Sequence, residues 1–190
     1  MSEKKGTVQR QQEAKQDNKA QEFLSKNNTI ISSVAIVVLL IVLGIVGYTK
    51  YWIPTQNAEA QQEIYMAQMM FERDSFKVAL NGKVDLIGTN NVTGFLEIAN
   101  NYGATKTGNL ARYYAGICYL RLGQFQNAID QLQQYSAKDD VTAAMAASAI
   151  GDAQSELGKM DAAIKSYRKA AKASDNEMVA PMQLFKLGLA

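Results

Sequence analysis

The sequence predicts an all-α fold, in which a single N-terminal transmembrane helix is followed by a solenoid of helical hairpins. Three observations predict it. The stretch "IISSVAIVVLLIVLGIVGY", Ile30 to Tyr48, carries no charge over nineteen residues. The string "GICYLRLGQFQNAIDQL" from Gly116 returns 35 residues later as "GDAQSELGKMDAAIKSY" from Gly151, with its small and apolar letters in place. Pro occurs only twice while Ala, Gln and Leu abound, a composition that suits helices.

Residues 1–28 form a polar arm ahead of the span. It holds six Lys/Arg (Lys4, Lys5, Arg10, Lys15, Lys19, Lys26) against four acids. Rich in Gln, Lys and Glu and poor in large apolar side chains, it cannot build a core. It reads as a fraying helix or a disordered segment, open to weak attraction by anionic headgroups at its low charge density.

Residues 29–52 read as the transmembrane helix. Nineteen helical residues reach roughly 28 Å, close to the hydrocarbon thickness of a bilayer. Ser32, Ser33, Gly44 and Gly47 are small enough for such a helix, and Lys50, Tyr51 and Trp52 suit the headgroup layer behind it. A cleaved signal peptide fits less well. The polar lead is long, and the nearest A-x-A, at Ala58 and Ala60, lies far beyond the apolar core. A buried helix of a soluble domain is the other alternative, and so long an uncharged run argues against it. Only Lys50 and Arg73 follow within about 25 residues of the span, against six cations before it, so the positive-inside rule places the N-terminus in the cytoplasm. Residues 53–190 then face the periplasm of a bacterium, and the chain is a single-pass inner-membrane protein.

That larger part holds thirteen Lys/Arg and fourteen Asp/Glu, a balance unlike that of a nucleic-acid binder. The chain has no His, which removes the commonest general base and transition-metal ligand, and one Cys, which rules out an internal disulfide or a Cys-based zinc site. No catalytic residue, cofactor site or metal site is expected.

Trp52-Ile-Pro54 reads as a short linker, and Asn57 to Arg73 as one helix with Ile64, Ala67, Met70 and Phe71 on a face. The repeat domain, 53–190, contains two clear units at about 109–142 and 144–178. In them Gly116 pairs with Gly151, Leu122-Gly123 with Leu157-Gly158, Phe125 with Met160, Ala128-Ile129 with Ala163-Ile164, and Leu132 with Tyr167. Each unit reads as two antiparallel helices. A small residue on the first lets the second approach, a turn Gly ends the first helix, and an Ala on the second packs back. A divergent unit occupies about 58–107. There Ala67, Phe76 and Ala79 mimic the small slot, the corner aromatic and the packing alanine, Asp74 stands where Gly is expected, and turn residues mark an insertion near Asn81–Thr93. "FLEIANNY", from Phe95, resumes a helix. From about 179, "APMQLFKLGLA" reads as the first helix of a further unit whose second helix is missing, so the solenoid looks truncated or covered by a partner at that end.

A period of 34–35 with these slots resembles the tetratricopeptide repeat. The layout of basic arm, one span and degenerate repeats resembles the YfgM-like family, ancillary subunits of the Sec translocon. The strings "ALNG", "GFLEIANNYGATKTGNLARYYAGICYLRLG" and "NAIDQL" are similar to the form carried by Bacteroidetes members. The resemblance covers about residues 30–190. It implies a non-enzymatic scaffold with Sec subunits, periplasmic chaperones or unfolded clients as partners, and it carries over no catalytic residues. A generic tetratricopeptide adaptor for another cell-envelope assembly is the alternative.

The candidate protein-binding groove follows from helical spacing on the first helix of each clear unit. Leu110, Tyr113, Ile117 and Leu120 share one face, and Met145, Ser148, Asp152 and Ser155 hold the same places in the next unit. Part of each set is expected to be hairpin core. Cys118 faces Ala153 in this register, so a small buried residue rather than a redox thiol is expected there.

Overall fold

The computed structural model describes residues 26–83, 91–173 and 179–189. Most of the expected polar arm, the middle of the expected insertion and the end of the second clear unit lie outside them. Among the described residues every extended element is helical, and the one β feature is an isolated bridge between Lys83 and Val92. The chain divides into two units, residues 1–51 and 52–190.

In the first unit, α1 (Asn28–Gly47) is long and apolar enough to cross a membrane. Its large side chains from Val34 to Val46 are exposed on all sides, as a helix solvated by lipid requires. Its hydroxyls are satisfied within the helix: Ser32 and Ser33 donate to the Thr29 carbonyl at 3.0 and 2.8 Å. A π-helical turn, Tyr48–Trp52, follows.

The second unit opens with α2 (Ile53–Glu72). The expected linker is replaced by helix: Trp52 ends the π-helical turn and Pro54 lies among the opening residues of α2. Beyond α2 come α3 (Phe76–Asn81), α4 (Phe95–Asn101), α5 (Lys106–Arg121), α6 (Phe125–Gln134), α7 (Asp140–Glu156), α8 (Met160–Ala173) and α9 (Val179–Leu189). From α5 onward each helix packs on the next, and the alternate helices α5, α7 and α9 also touch in sequence.

The turns show why the pattern is written more than once. In α5–α6 the Gly123 N–H bonds the Leu120 carbonyl at 3.2 Å and the Gln124 N–H bonds the Tyr119 carbonyl at 2.9 Å. In α7–α8 Gly158 bonds Ser155 at 2.8 Å and Lys159 bonds Gln154 at 2.9 Å, each 35 residues on. This Schellman closure needs left-handed backbone, and Gly123 and Gly158 have φ of 73° and 70°. The same closure ends α2, where Asp74 bonds Phe71 at 3.0 Å and Ser75 bonds Met70 at 2.9 Å, with Asp74 held at φ 55°. The first unit therefore keeps the turn without the glycine.

Close approach explains the small slots. A Cβ on Gly116 would lie 2.5 Å from Leu132 Cγ, and one on Gly151 would lie 2.6 Å from Tyr167 Cε1. Ala67 holds the equivalent place in the first unit and is fully buried. There the second helix breaks after α3. A neck at Gly82 and Gly94 brings two backbone passes into contact, closed by the paired Lys83–Val92 bridge at 2.9–3.0 Å, before α4 resumes. The core beneath joins Ala60 and Ile64 of α2, Leu80 of α3, Phe95 and Ile98 of α4, and Ala111, Ala115 and Cys118 of α5. Burying Phe95, Leu80 and Ile98 contributes about 2 kcal/mol each. The Phe95 ring stacks on Tyr114 at 5.0 Å and Phe71 meets Tyr114 edge-on at 5.2 Å.

Caps fix where each unit begins. Thr105 Oγ1 accepts the Gly108 N–H at 2.9 Å at the head of α5, and Asp139 Oδ1 accepts the Thr142 N–H at 2.8 Å at the head of α7. These bonds hold the exposed Asp139 carboxyl below its ordinary range. The Asn109 carboxamide closes the loop after α6, accepting from the Ser136 N–H at 2.9 Å and donating to the Ser136 carbonyl at 2.8 Å.

Candidate protein-binding groove

A cavity of about 700 Å³ opens on one side of the hairpin array. From α5 it takes Tyr113, Ile117 and Leu120, one helical face set by i, i+4 and i+3 spacing. From α7 it takes Met145, Ser148, Asp152 and Ser155 at the equivalent places. Seven of the eight groove residues named from the sequence thus gather around one space. Leu110 is the exception and a correction: it packs against the core shared by α2 to α5. It lies a turn closer to the buried start of α5, where Thr107 and Gly108 are covered.

Among the further lining residues, four come from the last two helices. Tyr167 comes from α8, and Met182, Gln183 and Lys186 come from α9. One signal was present, since Gln183 stands 35 residues after Ser148 and 70 after Tyr113. Tyr167 fills the slot of Leu132, so a packing role was legible and a polar one was not.

The apolar wall is Tyr113, Ile117, Leu120, Phe125 and Met145. Tyr113 leans on Tyr135 with ring centroids 5.3 Å apart, and burial raises its hydroxyl pKa. Opposite lies a polar knot. Lys186 Nζ donates to Asp152 Oδ2 and Oδ1 at 2.7 and 2.8 Å and to Ser148 Oγ at 3.1 Å. The Tyr167 hydroxyl donates to Asp152 Oδ1 at 2.9 Å. It reaches that far because Gly151 lets the ring lie against α7. Burial first, then the Asp152 carboxylate, raises the Tyr167 pKa, so the hydroxyl remains a donor. The Lys186 and Asp152 side chains are 31% and 33% exposed, so their ion pair orients α9 more than it stabilises the fold.

Gln183 is different. It borders the cavity, is fully buried, and neither its Nε2 nor its Oε1 has a hydrogen-bond partner.

Chemically the lining combines an apolar side, a neutralised charge pair and hydroxyls. Among the described residues no group of three acidic or thiol side chains gathers in metal-binding geometry. Cys118 is buried in the core, and burial pushes its thiol pKa up to about 12, so it is held neutral and unreactive. Comparisons of the chain with protein-family models, with curated proteins and with solved structures found no match.

Proposed function

We propose that this chain is a membrane-anchored, non-enzymatic scaffold whose groove receives a polypeptide segment from a protein partner. The observation that carries this is that the first helices of consecutive hairpins, α5, α7 and α9, line one shared cavity. Its one lysine is paired with Asp152, and its apolar side can receive the side chains of an extended chain. The matched Schellman turns and glycine contacts 35 residues apart support a tetratricopeptide-like solenoid for residues 53–190. The apolar α1 supports a single span. The excess of cations before it supports a cytoplasmic N-terminus and a periplasmic repeat domain in a bacterial inner membrane.

The resemblance to YfgM-like proteins names the partners: Sec translocon subunits, periplasmic chaperones or unfolded clients. Crosslinking of the full chain in membranes, with identification of the adducts, tests this. Adducts with Sec subunits or periplasmic chaperones are expected. Adducts only with other envelope machinery would replace the translocon role by a generic adaptor role. A C-terminal reporter active in the cytoplasm would overturn the orientation and the periplasmic partners together.

A further inference from the structure

We propose that Gln183 is the residue that reads the main chain of the bound polypeptide. This rests on the groove reading above and names what the groove holds: an extended segment with an uncharged backbone at that point and apolar side chains beside it.

A buried carboxamide without partners destabilises the fold, because its donor and acceptor both lose water. Gln183 carries that cost beside an open cavity, on the helix that closes the cavity's third side. A carboxamide places one acceptor and one donor in a plane, the complement of the N–H and C=O of a single residue of extended chain. This protein already makes that pairing. Asn109 bonds both the N–H and the C=O of Ser136, at 2.9 and 2.8 Å. A rotamer that turned the Gln183 carboxamide toward the cavity it borders would let a main chain supply both partners.

The neighbours define the ligand further. Lys186, one turn along α9, is neutralised by Asp152 at 2.7 Å and occupied by Ser148, which leaves no demand for an anion next to Gln183. The facing wall of Tyr113, Ile117 and Met145 receives apolar side chains. The ligand is therefore an internal, apolar, unfolded stretch of polypeptide rather than a charged chain end.

The test uses the full-length chain in nanodiscs, with labelled reduced and carboxymethylated lactalbumin as the unfolded probe. Gln183→Met keeps the shape and removes both polar atoms. It is expected to raise the melting temperature by about 3 °C, since an unsatisfied amide leaves the core. It is also expected to weaken probe binding about tenfold, since two main-chain hydrogen bonds are lost. Met145→Arg, at a residue 41% exposed on the cavity rim, obstructs the groove while keeping the Gln183 amide. Loss of binding in Met145→Arg with wild-type binding in Gln183→Met would overturn the role of Gln183 and leave the groove reading standing. A lowered melting temperature in Gln183→Met would also overturn it, because the amide would then be satisfied inside the fold. Undiminished binding in both variants, or no binding by the wild type, would overturn the groove reading and this inference together.

Discussion

Asp74 occupies left-handed backbone at φ 55° in a turn where the two later units use glycine. A carboxylate there also lies at the negative end of α2. Asp74→Gly is expected to stabilise the domain by about 1 kcal/mol, read from denaturant melts. Cys118 gives a second prediction at this scale. Its thiol has an ordinary pKa of 9.0 when unfolded and about 12 when buried, so the unfolded state ionises first as pH rises. Stability from this group is fully present below pH 9 and is lost as pH climbs toward 12. The melting temperature of the wild type should therefore fall more steeply across that window than that of Cys118→Ala. An alkylating reagent at neutral pH should label Cys118 only on unfolding. At single residues the sequence was legible where two units could be compared. Ala153 predicted a buried slot for Cys118, and Ser148 and Asp152 predicted a shared face with Tyr113 and Ile117. Leu110 was misplaced because spacing alone does not say where a helix end becomes covered. The orphaned amide of Gln183 was illegible because it depends on packing by α7, α8 and α9 together.

Between helices, two kinds of glycine do different work, and substitution separates them. Gly116→Ala forces Leu132 aside and Gly151→Ala forces Tyr167 aside, so each is expected to cost about 1–3 kcal/mol through overpacking. Gly151→Ala should also disturb the Tyr167–Asp152 bond at the groove, and weaker partner binding should accompany the lower stability. A Cβ on Gly123 meets nothing within 4 Å, so Gly123→Ala costs only the backbone strain of its positive φ, about 1 kcal/mol. Thr105→Ala removes the cap of α5 and is expected to cost about 1 kcal/mol. Thermal melts of the four variants check the ranking. The hairpins were legible in the sequence because turn and contact glycines recur at one offset. The broken second helix of the first unit was legible only at its edges, through Asn81-Gly82 and Gly94. The neck itself comes from a pairing of Lys83 with Val92 that no local pattern announces. Helix through Trp52–Pro54 was not legible, because Pro54 locally favours a break and the sequence carries no sign of the π-helical turn before it.

At the scale of the whole molecule, an apolar helix and a concave helical array divide the work. The helix is long and apolar enough to cross a bilayer, and the array lines the cavity proposed as a binding groove. A helix long and apolar enough to cross a membrane was legible from composition alone, in nineteen uncharged residues in a row. The groove was legible as a face of α5 and α7 but not as an enclosed space, because α9 supplies its third wall and Tyr167 enters from α8. The groove is proposed to hold polypeptide. The most direct test places a photoreactive side chain at Met145, on the groove rim, or at Lys165, on the exposed face of α8, in the full-length membrane-inserted chain. The account predicts polypeptide adducts from position 145 that Met145-independent obstruction at Ser155→Arg suppresses, and few from position 165. Equal adducts from both positions, or adducts from position 145 that Ser155→Arg leaves unchanged, would contradict it.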